Sequence, residues 1–442
     1  MEPLTSAQTV RRMVDRLAFG LPSSELGNLT RLTPDRAAAE LLRPAGAEPT
    51  HPQFADVPAV AKDGTKEARR ARRQVLRHNG LTLAGWWLTQ LITAPDPTRE
   101  RLVWFWHGHF ATSIQKVRLA QLMLQQNQTF RRLGTAQFGT LAQALVVDPA
   151  MMVWLDAVKN RRGSPNENLA REYLELFTLG HGNYTEADVA DAARALTGWV
   201  LRRDDGTAVA ELLPRRHDGG SKTILGSTGT YGAHDLVDLV LAQPASASFV
   251  VGRLWSRFVS HQAPSATRLE QLVGAYGASR DITAVLRAMV ISPEFTSPEH
   301  ALVKEPVPWL VGLARQLGLS ADRLAAPIRS GGEATLAQAM LGGLNAMGQV
   351  PLRPPSVGGW PAGRGWLSSG TAAARLVLAT KVVTAAAPKL AGTERQRVAA
   401  AAELLGVDGW SSRTADALAG VADRPTQLVA LAACAPEYIV SR

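Results

Sequence analysis

The stretch Asn166-Glu-Asn-Leu-Ala-Arg-Glu-Tyr-Leu-Glu-Leu-Phe-Thr-Leu-Gly180 reads as helix along its whole length. With Glu167 set at 0° and about 100° per residue, Arg171, Glu175, Asn168 and Glu172 fall between about 40° and 140°. Leu169, Tyr173, Leu174, Leu176 and Phe177 fill about 180° to 340°. One polar and one apolar face mean a helix laid on a core. Just beyond, Thr185-Glu-Ala-Asp188 precedes the Val189–Leu196 run in capping-box form, which predicts a helix start. Upstream, Pro97 after Asp96 predicts a helix through Arg101 and Val103 into Trp104-Phe-Trp-His-Gly-His-Phe110, ending near Gly108.

The same three- and four-residue spacing of apolar residues recurs through 5–20, 33–43, 81–93, 117–127, 139–158, 235–260, 281–291, 309–317, 371–387, 395–405 and 426–434. The expected fold is all-α: one large multi-helix globular domain over 1–442. A division into two lobes is open, with 1–232 carrying the His and Glu motifs and 233–442 the remaining helices. Periodicity is lost between Trp199 and Gly232, where a long loop with one short hairpin is expected, and again over the Gly/Pro/Trp-rich segment 350–369. Long irregular segments inside compact domains are more often functional than accidental.

A chain of 442 residues, 46% apolar and 19% charged, can bury a large core and is not a disordered polymer. It has no run of about 20 apolar residues, so no spanning helix is expected. The first twenty residues carry no signal-peptide run, which leaves a cytoplasmic protein or a trimmed exported form. Cys434 is the single cysteine, so an internal disulfide and a thiolate metal site are excluded, and any metal must rest on His and carboxylate ligands. The 48 basic residues against 38 acidic give +10, which suits an anionic partner. Nucleic acid is not the expected one, because the basic run Lys66–His78 has no interleaved aromatics. There is no nucleotide or flavin motif, no Gly-x-Ser-x-Gly elbow and no His-Glu-x-x-His.

Candidate chemistry concentrates in three places. His107 and His109 lie two apart in an aromatic run. On a continuous helix they point about 200° apart, and they share an ion only if the backbone breaks, which Gly108 permits. Otherwise they are core histidines packed by Trp. On the 166–180 helix, Glu167, Arg171 and Glu175 form either a solvated i, i+4, i+8 ladder or, turned inward with Glu172, a charged cleft. In Arg215-Arg-His-Asp-Gly-Gly-Ser-Lys222, the His217–Asp218 pair beside Lys222 has acid–base capacity, or it belongs to an ordinary surface loop.

At these same residues the sequence resembles a family. WFWHGHFATS, NENLAREYLELFTLG, YTEADVADAARALTGW, HDGGSKTILG, FVVGRLWSRFV and RPPSVGGWPAGRGWL, in that order, are similar to the motifs of the bacterial family called domain of unknown function 1800. The likeness extends from RLAFG at 16–20 to PEY near the end. It implies a protein that is often exported and often encoded beside a second family, number 1501, which is similar to sulfatases and phosphatases. It assigns no role to any residue.

Two readings are open. In the first, an enzyme, hydrolytic or oxidative, gathers His107, His109, Glu172 and Glu175 around a divalent Zn, Mn or Fe ion. Glu167, His217 and Asp218 would handle protons, while Arg171, Lys222 and Arg353 with Trp106 and Trp360 would hold a polar or anionic substrate such as an envelope or extracellular polymer. In the second, the chain is a non-catalytic helical scaffold that docks a partner of the 1501 family, and the Glu–Arg network is structural.

Overall fold

Caps and prolines place most helix ends in the computed structural model, which describes residues 3–43, 46–61, 63–204, 207–328 and 334–441. Thr5 opens the N-terminal helix Ser6–Ala18 with a capping box, and Thr185 does the same for Glu186–Ala195. The Asp96 side chain accepts from the Arg99 amide ahead of Pro97 and opens the aromatic helix Pro97–His109. Each cap satisfies amides that would otherwise lack partners.

The chain is mostly helical, as expected. Two expected helices are each two. The 139–158 run is Phe138–Leu145 and Pro149–Trp154, and the 235–260 run is Ala233–Leu241 and Pro244–Phe258, bent by 81°. Proline lacks the donor and clashes with the preceding turn, so Pro149 and Pro244 start new helices rather than continuing old ones. Conversely, the basic run and the 81–93 pattern are one long helix, Lys66–Thr93. Among the described residues no single helix is long and apolar enough to cross a membrane.

The acidic helix Glu167–Glu172 passes into a π turn, Tyr173–Thr178, closed by the Leu179 amide on the Leu174 carbonyl. Widening a helix by one residue per turn rotates the side chains beyond it about the axis, and Thr178 Oγ1 donates back to the Tyr173 carbonyl at 2.5 Å.

Strands form three separate antiparallel pairs among the described residues. β1 (Trp199–Asp204) pairs with β2 (Thr207–Leu212), and β3 (Lys222–Ile224) with β4 (Ser227–Gly229), so the 199–232 segment holds two hairpins where one was expected. β5 (Leu302–Val303) pairs with β6 (Val440–Ser441) and ties the chain's last residues to its middle. Buried apolar side chains from both sides of position 232 belong to one cluster, from Val10 to Ile439.

Candidate functional site

The aromatic helix runs unbroken through Gly108, so His107 and His109 diverge, as a continuous helix requires. His107 is buried against Trp87, Trp104 and Trp360, with ring centroids 5.0, 6.3 and 5.5 Å away. His109 is buried among Phe105, Trp106, Phe110 and Phe177, and its Nε2 donates to the Phe177 carbonyl at 2.8 Å. Burial among these rings pushes both imidazoles down to about 3, and for His109 the nearby Arg253 adds to the effect. Both are therefore neutral at ordinary pH. Trp106, expected as a substrate wall, is fully buried, with its Nε1 on the Gly134 carbonyl at 2.7 Å.

The imidazole of His109 meets the acidic helix on its apolar face, at Phe177, and the carboxylates lie on the other side. Arg171 bridges Glu167 at 3.2 Å and Glu186 at 2.7 Å on the surface. Glu175 accepts from the Tyr184 hydroxyl at 2.5 Å. Glu172 is half-buried, and desolvation together with the neighbouring Glu175 raises its carboxyl. Among the described residues no three His, Cys, Asp or Glu side chains lie close enough to hold a metal ion. The structure therefore does not assemble His107, His109, Glu172 and Glu175 into one ligand set: the helix pitch separates the imidazoles and the amphipathic split separates them from the acids.

In the third cluster, His217 Nδ1 donates to the Thr197 carbonyl at 3.0 Å. Asp218 turns away from His217 to Arg194, 2.9 Å away, which with the Gly220 amide pulls its carboxyl down to about 2. Lys222 is buried, its Nζ donating to the carbonyls of Asp218 and Gly220 at 2.5 and 3.0 Å. These contacts pin the loop to the Glu186–Ala195 helix. Trp360, in the 350–369 loop, is buried and stacks on Trp104 at 4.9 Å, whereas Arg353 is exposed. Gly359 sits at φ +80°, and a Cβ there would collide with the Gly108 carbonyl. The loop seals the aromatic helix.

A cleft that the sequence did not reveal lies where both chain ends meet the middle. Its volume is about 420 Å³, between the N-terminal helix, the segment before β5, residues 405–411 and β6. Arg12 and Arg16 sit on the apolar stripe of the N-terminal helix, and Arg12 lines the cleft. Arg12 donates to the Phe295 and Ser297 carbonyls, and Arg16 to the carbonyls of Val259, His300 and Ser441. Arg11 pairs with Asp408 at 2.8 Å and Lys304 with Asp15 at 2.6 Å. Lys304 also lies 3.9 Å over the Tyr438 ring. Behind the Asp15–Lys304 pair is a chamber of about 40 Å³, lined by Arg16, Arg101, Arg257, His261, Glu305 and Ser441 among others. The only sequence signal was the pair of arginines, four apart, inside the Val10–Leu17 apolar stripe.

The chain belongs to the family described as "Protein of unknown function (DUF1800)", whose profile matches residues 12–440. The matched span takes in the aromatic-helix motifs and most of the cleft lining, with Leu4, Gln8, Arg11 and Ser441 outside it. No curated protein and no solved structure matches the chain.

Proposed function

We propose that the cleft between the chain ends is a binding site for a polar, anionic ligand, and that the ligand is an acidic sugar or the end of an acidic polymer. One observation carries this reading. The cleft and its inner chamber place six cationic side chains (Arg11, Arg12, Arg16, Arg101, Arg257, Lys304) against four carboxylates (Asp15, Glu305, Asp408, Glu437) around space for a small molecule. A volume of about 420 Å³ lies in the range of small-molecule sites and holds roughly one or two pyranose rings. The outer cleft is balanced, three cations against three carboxylates, and the chamber's four cations against two carboxylates favour an anionic group at the inner end, while Asp408 and Glu437 can accept from hydroxyls and Trp410 offers a flat apolar surface. This keeps the polar or anionic substrate of the enzyme reading and routes no step through a divalent ion.

Calorimetric titration with galacturonic acid and its short oligomers, against the neutral galactose series, tests it. The acidic series is expected to bind at least tenfold more tightly, and Arg11→Ala to weaken it. Equal binding of the two series, or none, sinks the proposal.

A second reading, docking of a family 1501 protein, draws on the long helix. Lys66, Arg70, Arg73 and Arg77 are exposed, share one face and form no ion pair among the described residues. Co-purification with a 1501-family protein that survives in the parent and is lost in Arg70→Glu/Arg73→Glu would support it. Equal recovery with both would not.

A further inference from the structure

We infer that the inner chamber is a binding site for one compact anionic group, held by the guanidinium of Arg101. The inference rests on the cleft reading only for the source of that group, which is either the carboxylate of the ligand in the outer cleft or a free small anion.

Arg101 lies in the second turn of the aromatic helix. Its Nε donates to the Arg16 carbonyl at 3.0 Å. Its guanidinium packs against two rings, 5.2 Å from the centroid of Phe19 and 5.1 Å from that of Phe258. The two terminal nitrogens make no hydrogen bond or ion pair with any described residue, and the side chain lines the chamber. Packing against the two rings fixes the fork while its terminal nitrogens stay open, an arrangement suited to bidentate capture of a carboxylate.

Every other cation of the chamber is already committed. Arg257 pairs with Glu305 and donates to the Trp360 carbonyl at 2.9 Å. Lys304 is held by Asp15, and Arg16 spends its donors on carbonyls and Ser441. Arg16, Arg101, Arg257 and Lys304 face Asp15 and Glu305, which leaves an excess of two positive charges around the space. Burial pulls the Arg101 guanidinium down to about 10, with Arg257 adding to the pull and Glu305 and Asp15 opposing it. A bound anion would relieve that desolvation, since an uncompensated buried cation is costly.

The size fits. A volume of about 40 Å³ exceeds what a single water needs and admits a halide or a carboxylate, but not a sugar ring. Asp15, Lys304 and Ser441 line both the chamber and the outer cleft. A ligand lying in the cleft could therefore pass a carboxylate over the Asp15–Lys304 pair to Arg101 and keep its ring outside. Trp360, whose carbonyl holds Arg257, connects this chamber to the 350–369 loop.

The test has three arms at constant ionic strength. Crystals of the parent protein soaked in sodium bromide are examined for anomalous scattering, with a peak expected beside the Arg101 terminal nitrogens. Formate is titrated into parent, Arg101→Met and Arg101→Lys protein while the thermal midpoint is followed. A saturable rise is expected in the parent, a partial one in Arg101→Lys and none in Arg101→Met. Digalacturonic acid is titrated into the same proteins, with at least a tenfold loss of affinity expected in Arg101→Met. Should Arg101→Met fail to fold, the bromide peak and Arg101→Lys still decide. No bromide peak, a flat formate response and equal digalacturonate affinity in all three proteins overturn the Arg101 site while leaving the cleft reading in place. Bromide and formate binding at Arg101 without any digalacturonate binding would do the reverse.

Discussion

The interior of the aromatic helix and the cleft at the chain ends use the same kinds of residue for different ends. Away from the chamber, the aromatic helix turns Glu100 into the interior against a matching charge. Glu100 and Arg131 form a two-pronged pair at 2.5 and 2.9 Å, both essentially inaccessible, and the imidazoles stay neutral among rings. In the cleft, charges line open space, and Arg101 keeps donors without partners among the described residues. Matched polar groups indicate structure, and unmatched ones beside a cavity indicate a ligand. The two regions should therefore respond oppositely to mutation, stability falling in one and binding in the other.

The largest effect is expected at the buried pair. Arg131→Met leaves Glu100 charged, buried and alone, at a cost of about 3–5 kcal/mol in urea unfolding. Glu100→Leu combined with Arg131→Met should recover most of that loss, because the pair's attraction largely offsets its own desolvation. If neither variant changes stability, the interior does not depend on matched charges.

Next comes pH. The folded imidazoles of His107 and His109 titrate at about 3 and an unfolded one near 6.5, so between these values unfolding takes up protons. Stability is then fully present above about pH 6.5 and falls as pH drops towards 3. Between pH 6 and 5 these two imidazoles contribute a slope approaching two protons, about 2.7 kcal/mol per pH unit, which Asp148, its carboxyl raised by burial to about 7, partly offsets. Unfolding curves of the parent and His107→Phe over that window should differ by close to one proton, and an unchanged slope would mean that His107 is not buried neutral.

Gly359→Ala adds a strained φ and a collision with the Gly108 carbonyl, for a loss of about 1–3 kcal/mol. It should also loosen the Trp104–Trp360 stack, which tryptophan fluorescence would report as greater solvent exposure. A stability equal to the parent's would detach the loop from its sealing role.

Sequence disclosed local features best. Asp96-Pro97 and Thr185–Asp188 state helix starts within four residues, because capping is a contact between near neighbours. The 166–180 wheel separated buried from exposed side chains for the same reason. The His-x-His spacing suggested more than it delivers, since Gly108 permits a break but nothing in the fold enforces one. The cleft was not legible, because its contacts join residues such as Arg16 and Ser441, 425 positions apart, and no periodicity encodes a meeting of that range. Its walls look like an ordinary amphipathic helix with two arginines on the wrong side.

The smallest stability effects separate the two regions most cleanly. Arg11 and Arg171 are matched probes: each side chain is 36% exposed, and each pairs with surface carboxylate, Asp408 at 2.8 Å and Glu186 at 2.7 Å. Exposed pairs contribute about 0–1 kcal/mol, so Arg11→Ala and Arg171→Ala should each shift the unfolding free energy by no more than about that amount. Their surroundings differ. Arg11 borders the cleft, whereas Arg171 stands on the solvated face of the acidic helix among Glu167 and Glu186. Digalacturonate affinity should therefore fall several-fold in Arg11→Ala and stay unchanged in Arg171→Ala, read by calorimetry on proteins of equal stability. The opposite pattern would move the ligand to the acidic helix and restore Glu167, Glu172 and Glu175 as the groups to pursue.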